Sequence, residues 1–162
     1  MSAKKTSVRV FFDSPCLKNA CPEIDVRRIW RKTSSLIRKS GFPQNINLVF
    51  VDNSAIKKLN RRYRGKNYPT DVLSFNYSEK KCEKNHGSSF WDTGEIYLGL
   101  PYLQTISRKE NIPLDRLIEK TIIHGLIHLA GYDHKRANDK KIMQTLEKKC
   151  QKMLNYKRRV TS

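Results

Sequence analysis

HGLIHLAGYDH, residues 124–134, holds three of the chain's four histidines in the spacing H-x3-H-x5-H. The residues before it, Leu114 to Ile123, read as helix, with Pro113 suited to a first-turn position and Asp115 favourable near the N-terminal dipole. His124 and His128 are four apart, so on a helix they project from one face, about one turn from each other. Gly131 falls where the helix would end, since glycine tolerates the left-handed conformation that closes a last turn. A reversal there brings His134 back toward the other two. Ile122, Ile123, Leu126, Ile127 and Leu129 make the helix apolar on most sides, so it is expected to be buried near the centre of the fold. Two imidazoles in such surroundings need partners, because an unpaired buried polar group costs roughly 1–3 kcal/mol. One metal ion satisfies both, with His134 as third ligand. Three imidazoles leave one corner of a tetrahedron open, as in a catalytic zinc site, whereas a structural zinc is closed by a fourth protein ligand.

The position after the first histidine separates this pattern from the zinc peptidases. Their signature, H-E-x-x-H, places a general-base glutamate there. This chain has Gly125, which carries no proton, so proteolysis would need its base from elsewhere.

Composition points to the partner. The 162 residues include 33 Lys plus Arg against 15 Asp plus Glu, a net charge of +18. A net charge of about 2–8 is enough to keep a small domain soluble, so this excess predicts a polyanionic partner, nucleic acid before any other. The length predicts one domain over residues 1–162, with a basic C-terminal helix and tail from about 138 to 162. In that tail only Asp139 and Glu147 interrupt a long run of lysines and arginines. Cys16, Cys21, Cys82 and Cys150 form no C-x-x-C pair and read as free thiols of a reducing compartment. VRVFF near the N-terminus is too short for a signal peptide, and no run of about 18 apolar residues can span a membrane. A cytoplasmic protein that does not enter membranes is expected.

Outward from the histidines, the pattern predicts strands at Val8 to Asp13, Ile46 to Asp52, Val72 to Tyr77 and Gly94 to Leu98. Helical spacing runs over Asp25 to Lys39, from Asn53 or Ser54 to about Tyr63, over Tyr102 to Glu110, through the histidine helix, and from about Asn138 to Asn155. The stretch with Pro15 and Pro22 reads as loop, as does polar Glu79 to Asp92, which contains His86. The first two strands and their helix make a β-α-β unit with parallel neighbours, and the last two strands pair antiparallel. The fold class is α+β, a mixed four-stranded sheet packed with about five helices, the histidine helix near its centre.

HGLIHLAGYDH closely resembles the H-G-x-L-H-L-x-G-Y-D-H signature of the YbeY family of metal-dependent endoribonucleases, also called rRNA maturation factors. LNRRYRGKNYPTDVLSF, Leu59 to Phe75, is similar to that family's L-N-x-x-Y-R-x-K-D-x-P-T-D-V-L-S-F segment, and GEIYL to its G-D-I-x-I strand. Ile127 replaces the usual leucine, Asn67 the usual aspartate, and Glu95 stands in for aspartate. The resemblance implies one zinc ion bound by His124, His128 and His134, with His124 and Arg64 serving the reaction. It also implies single-strand-specific cleavage of RNA, with roles in small-subunit rRNA end processing and ribosome quality control, by a protein expected to be a monomer. The chemistry of arginine agrees, since its planar fork of donors suits phosphate and can stabilise charge that develops on its oxygens. Asp133 and Glu95 are candidates for general acid or base, or for orienting the histidines. Two other readings stay open: a zinc peptidase, and a non-catalytic ribosome-assembly protein whose structural zinc is closed by His86 or Cys82.

Overall fold

Alternation along the central strands builds two cores, one on each side of the sheet. Ile46, Leu48 and Phe50 face one side with Ile96 and Leu98, while Val49 and Val51 face the other with Leu73, Phe75 and Tyr97. In chain order the elements are β1 (Ser7–Phe12), α1 (Pro15–Ala20), α2 (Val26–Leu36), β2 (Asn45–Val51), α3 (Asn53–Arg64), β3 (Val72–Asn76), β4 (Thr93–Gly99), α4 (Leu100–Glu110), α5 (Leu114–Leu129) and α6 (Ala137–Arg158). The structure, a computed structural model, describes residues 7–37, 42–77, 93–132 and 137–158. The sheet order is β1-β2-β4-β3, with β1 parallel to β2, β2 parallel to β4, and β3 antiparallel to β4.

The mixed α+β sheet and its parallel and antiparallel pairs are as the sequence predicts. One helix more is present than expected. Residues 15–20, read as loop because of Pro15, form α1: Ser14 accepts the Leu17 amide at the N-cap, and Pro15 takes a first-turn position, where its missing N–H costs nothing. Residues 133–136, which include Asp133 and His134, lie outside the described residues, as do His86 and Cys82. Cys16, Cys21 and Cys150 are free thiols.

The larger core lies between the sheet and α2, α5 and α6, with Leu100 and Leu103 of α4 at its margin. α5 is its centre, with Ile118, Ile122, Ile123, Leu126 and Ile127 almost fully buried. The smaller core holds α3 on the opposite face through Ile56 and Leu59, over Leu73 and Phe75. β3 is an edge strand, so it carries α5 on one face and α3 on the other. No helix among the described residues is long and apolar enough to cross a membrane.

Candidate functional site

Gly125 lets α5 lie close on the sheet. A Cβ added there would stand 3.0 Å from both Ile96 Cγ2 and Ser74 Oγ, tighter than ordinary packing. A side chain at the position that holds the general base in a zinc peptidase would therefore press on Ser74 of β3 and Ile96 of β4. The flanking residues, His124 and His128, are half-buried and turn their rings toward each other, with centroids 4.6 Å apart and planes at 82°.

Each ring is held from behind by its Nδ1. His124 Nδ1 is 2.7 Å from Glu147 Oε1 of α6, and His128 Nδ1 is 2.9 Å from the Tyr132 carbonyl oxygen. The carbonyl oxygen accepts only, and so does an ionised carboxylate, so a neutral ring in either place donates through Nδ1 and turns the lone pair of Nε2 inward. Those two Nε2 atoms converge to 3.1 Å. A proton on one Nε2 makes this contact a hydrogen bond, whereas two bare nitrogens at this spacing are a cradle for a cation. The spacing also suits one metal, since two nitrogens bound tetrahedrally at 2.0–2.1 Å stand about 3.3 Å apart. Both imidazoles thus fit a zinc ion. Among the described residues no group of three possible ligands forms, and His134, the expected third, lies outside them.

The end of α5 shapes this pocket. Gly131 adopts φ 78°, the left-handed closing turn that its position in the sequence predicts. Its amide donates to the His128 carbonyl at 2.8 Å, and the Tyr132 amide to Ile127 at 3.4 Å, the paired bonds of a Schellman turn. That turn swings the Tyr132 carbonyl back under His128. Asn76 of β3 donates its side-chain amide to the Leu129 carbonyl at 2.8 Å and pins the helix end to the sheet.

Glu147 is absent from the sequence-based list of site residues. Its signal was present, as an acidic residue in a helix otherwise crowded with lysines. Glu95, offered as a partner for the histidines, is on the wrong side of the sheet. Its neighbours Gly94 and Ile96 pack beneath Leu129 and Gly125, so by alternation Glu95 points toward the α3 face. There its Oε2 accepts from Tyr97 at 2.9 Å and Tyr77 at 3.3 Å. Burial, reinforced by the Glu95 charge, pushes the Tyr77 phenol up to about 12; burial and the Glu95 hydrogen bond raise Tyr97 as well.

Arg64 is exposed on the last turn of α3, which Gly65 closes at φ 69°. It therefore starts from the sheet face opposite the histidines. The two groups nevertheless stand at one level of edge strand β3. The Tyr63 ring, one residue before Arg64, lies 4.7 Å from the ring of Phe75, whereas Gly125, between the histidines, packs on Ser74. Ser74 and Phe75 are consecutive residues, pointing to opposite faces.

Comparison with known proteins identifies the family. The family described as Endoribonuclease YbeY matches residues 18–155. The chain is 35% identical to the Endoribonuclease YbeY of Syntrophus aciditrophicus over 72% of this chain and 71% of that protein. Identity is 38% to that of Ehrlichia canis, over 69% of this chain and 68% of the relative, and 38% to that of Mycoplasma mobile, over 77% and 81%. The fold resembles the solution structure of TM1509 from Thermotoga maritima, with a TM-score of 0.57 and 24% identity over 96% of this chain and 93% of that one. With the profile spanning most of the sequence and relatives above 30% identity over two thirds of their length, the chain belongs to the Endoribonuclease YbeY family.

Proposed function

We propose that the chain is a zinc-dependent endoribonuclease that cuts single-stranded RNA, with ribosomal RNA of the small subunit as its substrate. The observation that carries this reading is the pair of imidazole Nε2 atoms facing each other at 3.1 Å, each ring anchored through Nδ1. His124, His128 and His134 would hold one zinc ion per chain, neutral imidazoles suiting zinc better than magnesium. Zinc in such a site supplies a Lewis acid and a nucleophilic water whose pKa falls toward about 7. Membership of a family whose curated relatives are named endoribonucleases supports RNA as the substrate, and the charge of +18 supports a polyanion. In this reading the protein works in the cytoplasm as a monomer on the small ribosomal subunit.

The chain's own groups have separable tasks. Glu147 and the Tyr132 carbonyl hold the two rings with their Nε2 atoms inward. Arg64, exposed in the last turn of α3, would hold the scissile phosphate through its paired N–H donors. Gly125 weighs against the peptidase alternative, because it carries no base and lies tight against Ile96 and Ser74.

Arg64→Ala tests this division of labour. It removes one of 33 positive side chains, so RNA affinity should stay within a few-fold of the parent and the metal should remain. Loss of a donor at developing charge should slow cleavage by about 10²–10³. Lysine should rescue poorly, since an ammonium lacks the planar fork. Cleavage at the parent rate would return Arg64 to an ordinary surface arginine. Loss of fold or metal would make its role structural.

A further inference from the structure

α3 and the connector after it form a surface of which the cleavage chemistry uses only Arg64. Residues 53–70 contain Lys57, Lys58, Arg61, Arg62, Arg64 and Lys66 and no acidic residue, and all six cations are exposed. Two aromatic rings stand among them in solvent: Tyr63 is 54% exposed and Tyr68 is 53% exposed. Large rings left this open on a basic surface are what single-stranded nucleic acid requires, since bases stack on aromatic faces while cations follow the backbone. A cation lies over each ring, and a base stacking on that face would displace it. The Arg62 guanidinium carbon is 5.5 Å from the Tyr63 ring centroid, and Lys66 Nζ is 5.9 Å from that of Tyr68.

The surface is also held in shape. Tyr63 rests on Phe75, whose ring is 5.9 Å from that of Tyr97. Asn60, 2% exposed, donates through Nδ2 to the Tyr68 carbonyl at 2.8 Å, fixing the connector from beneath. The Glu95 carboxylate, bonded into the aromatic group, accepts from the hydroxyls of Tyr77 and Tyr97. Prior ordering of this kind lowers the entropic cost of binding.

We infer that Tyr63 and Tyr68 are a base-stacking platform for the single-stranded RNA that flanks the cut, with the strand passing over the edge of β3 between this face and the histidines. The inference rests on the endoribonuclease reading, because it names how that substrate is gripped away from the scissile bond. Recognition is by base planes and backbone charge and so tolerates any sequence. Paired RNA, whose bases are stacked internally, binds this face less well.

Stopped-flow anisotropy on the intact protein, read before cleavage, tests it with two labelled strands: a short mixed-sequence oligoribonucleotide and an abasic ribose-phosphate strand of equal length. Tyr63→Ala with Tyr68→Ala should weaken the base-bearing strand roughly tenfold or more, the stacking range for one to two bases. Affinity for the abasic strand and the salt dependence should stay at parent values. Phenylalanine at both positions should restore binding. Tyr68→Ala alone guards against misfolding, because its ring lies outside the Tyr63–Phe75–Tyr97 group, and it should show a several-fold loss. Unchanged binding of the base-bearing strand, or equal loss of both strands, overturns the platform. Tighter tyrosine-dependent binding to an acidic peptide or anionic vesicle than to RNA overturns it too. A parent protein that binds through the tyrosines yet cuts nothing refutes the nuclease reading and leaves the platform standing.

Discussion

Glu147 carries more of this account than any other residue that the sequence reading left out. Its carboxylate, 2.7 Å from His124 Nδ1, fixes ring orientation and leaves Nε2 facing His128. Such carboxylate–histidine contacts raise ligand basicity, and their loss costs about 10–100-fold in metal affinity. Glu147→Ala should weaken zinc binding by that factor in a chelator competition, while Glu147→Asp recovers part of it; unchanged affinity in the alanine variant would remove Glu147 from the site. Gly131 acts on the other ring. Forcing an alanine into its left-handed turn costs about 1–2 kcal/mol, which denaturant unfolding of Gly131→Ala should read directly. The same variant should bind zinc less tightly, because the Tyr132 carbonyl behind His128 depends on that turn. A parent-like unfolding midpoint would mean that another turn closes α5 equally well.

At the level of elements, β3 and β4 divide the chemistry between two faces. The α3 face buries Tyr77 and Tyr97 against Glu95, and both phenols are raised above their ordinary value of 10.0, Tyr77 to about 12. A raised folded-state value means that the neutral phenol is favoured by folding. The stability it contributes is present below pH 10 and is lost as pH rises toward about 12. Tyr77→Phe with Tyr97→Phe should therefore lose less stability over that window than the parent, measured by denaturant unfolding at each pH. An equal loss in both proteins would separate the alkaline transition from these rings. Much of this level was legible in the sequence. Period-2 and period-3.6 patterns located the four strands and five of the six helices among the described residues, and Gly131 marked the end of α5. α1 was hidden because Pro15 breaks most patterns but starts a helix when a serine caps it. The insertion of β4 between β2 and β3 was hidden because pairing is decided by long-range burial, which local spacing does not record. Glu95 does not orient the histidines, a role offered to it on residue type. Strand parity alone, with Gly94 and Ile96 facing the core, would have turned it away from the histidines. Glu147 was the reverse case, a residue 23 positions from His124 in sequence that only the packing of α6 on α5 brings to it.

Across the whole molecule, the proposed function divides the work between charge that would recruit the substrate and a histidine pair that would act on it. With +18 on 162 residues, the logarithm of RNA affinity should fall linearly with the logarithm of salt, by about 0.7 for each phosphate neutralised on a single strand. Lys148, Lys149 and Lys152 are exposed on α6, the helix that supplies Glu147. Replacing all three with glutamine should weaken RNA binding and flatten the salt slope if α6 faces the strand. An unchanged slope would make them solvated bystanders. The central claim is that a metal held by the histidines is what cuts RNA. Its most direct test is the cleavage rate of a labelled single-stranded RNA by protein stripped of metal, before and after zinc is restored, beside His128→Ala treated identically. Stripped protein should be inert, zinc should restore cutting, and His128→Ala should stay inert with zinc present. Cutting by stripped protein, or by His128→Ala at the parent rate, would contradict the account.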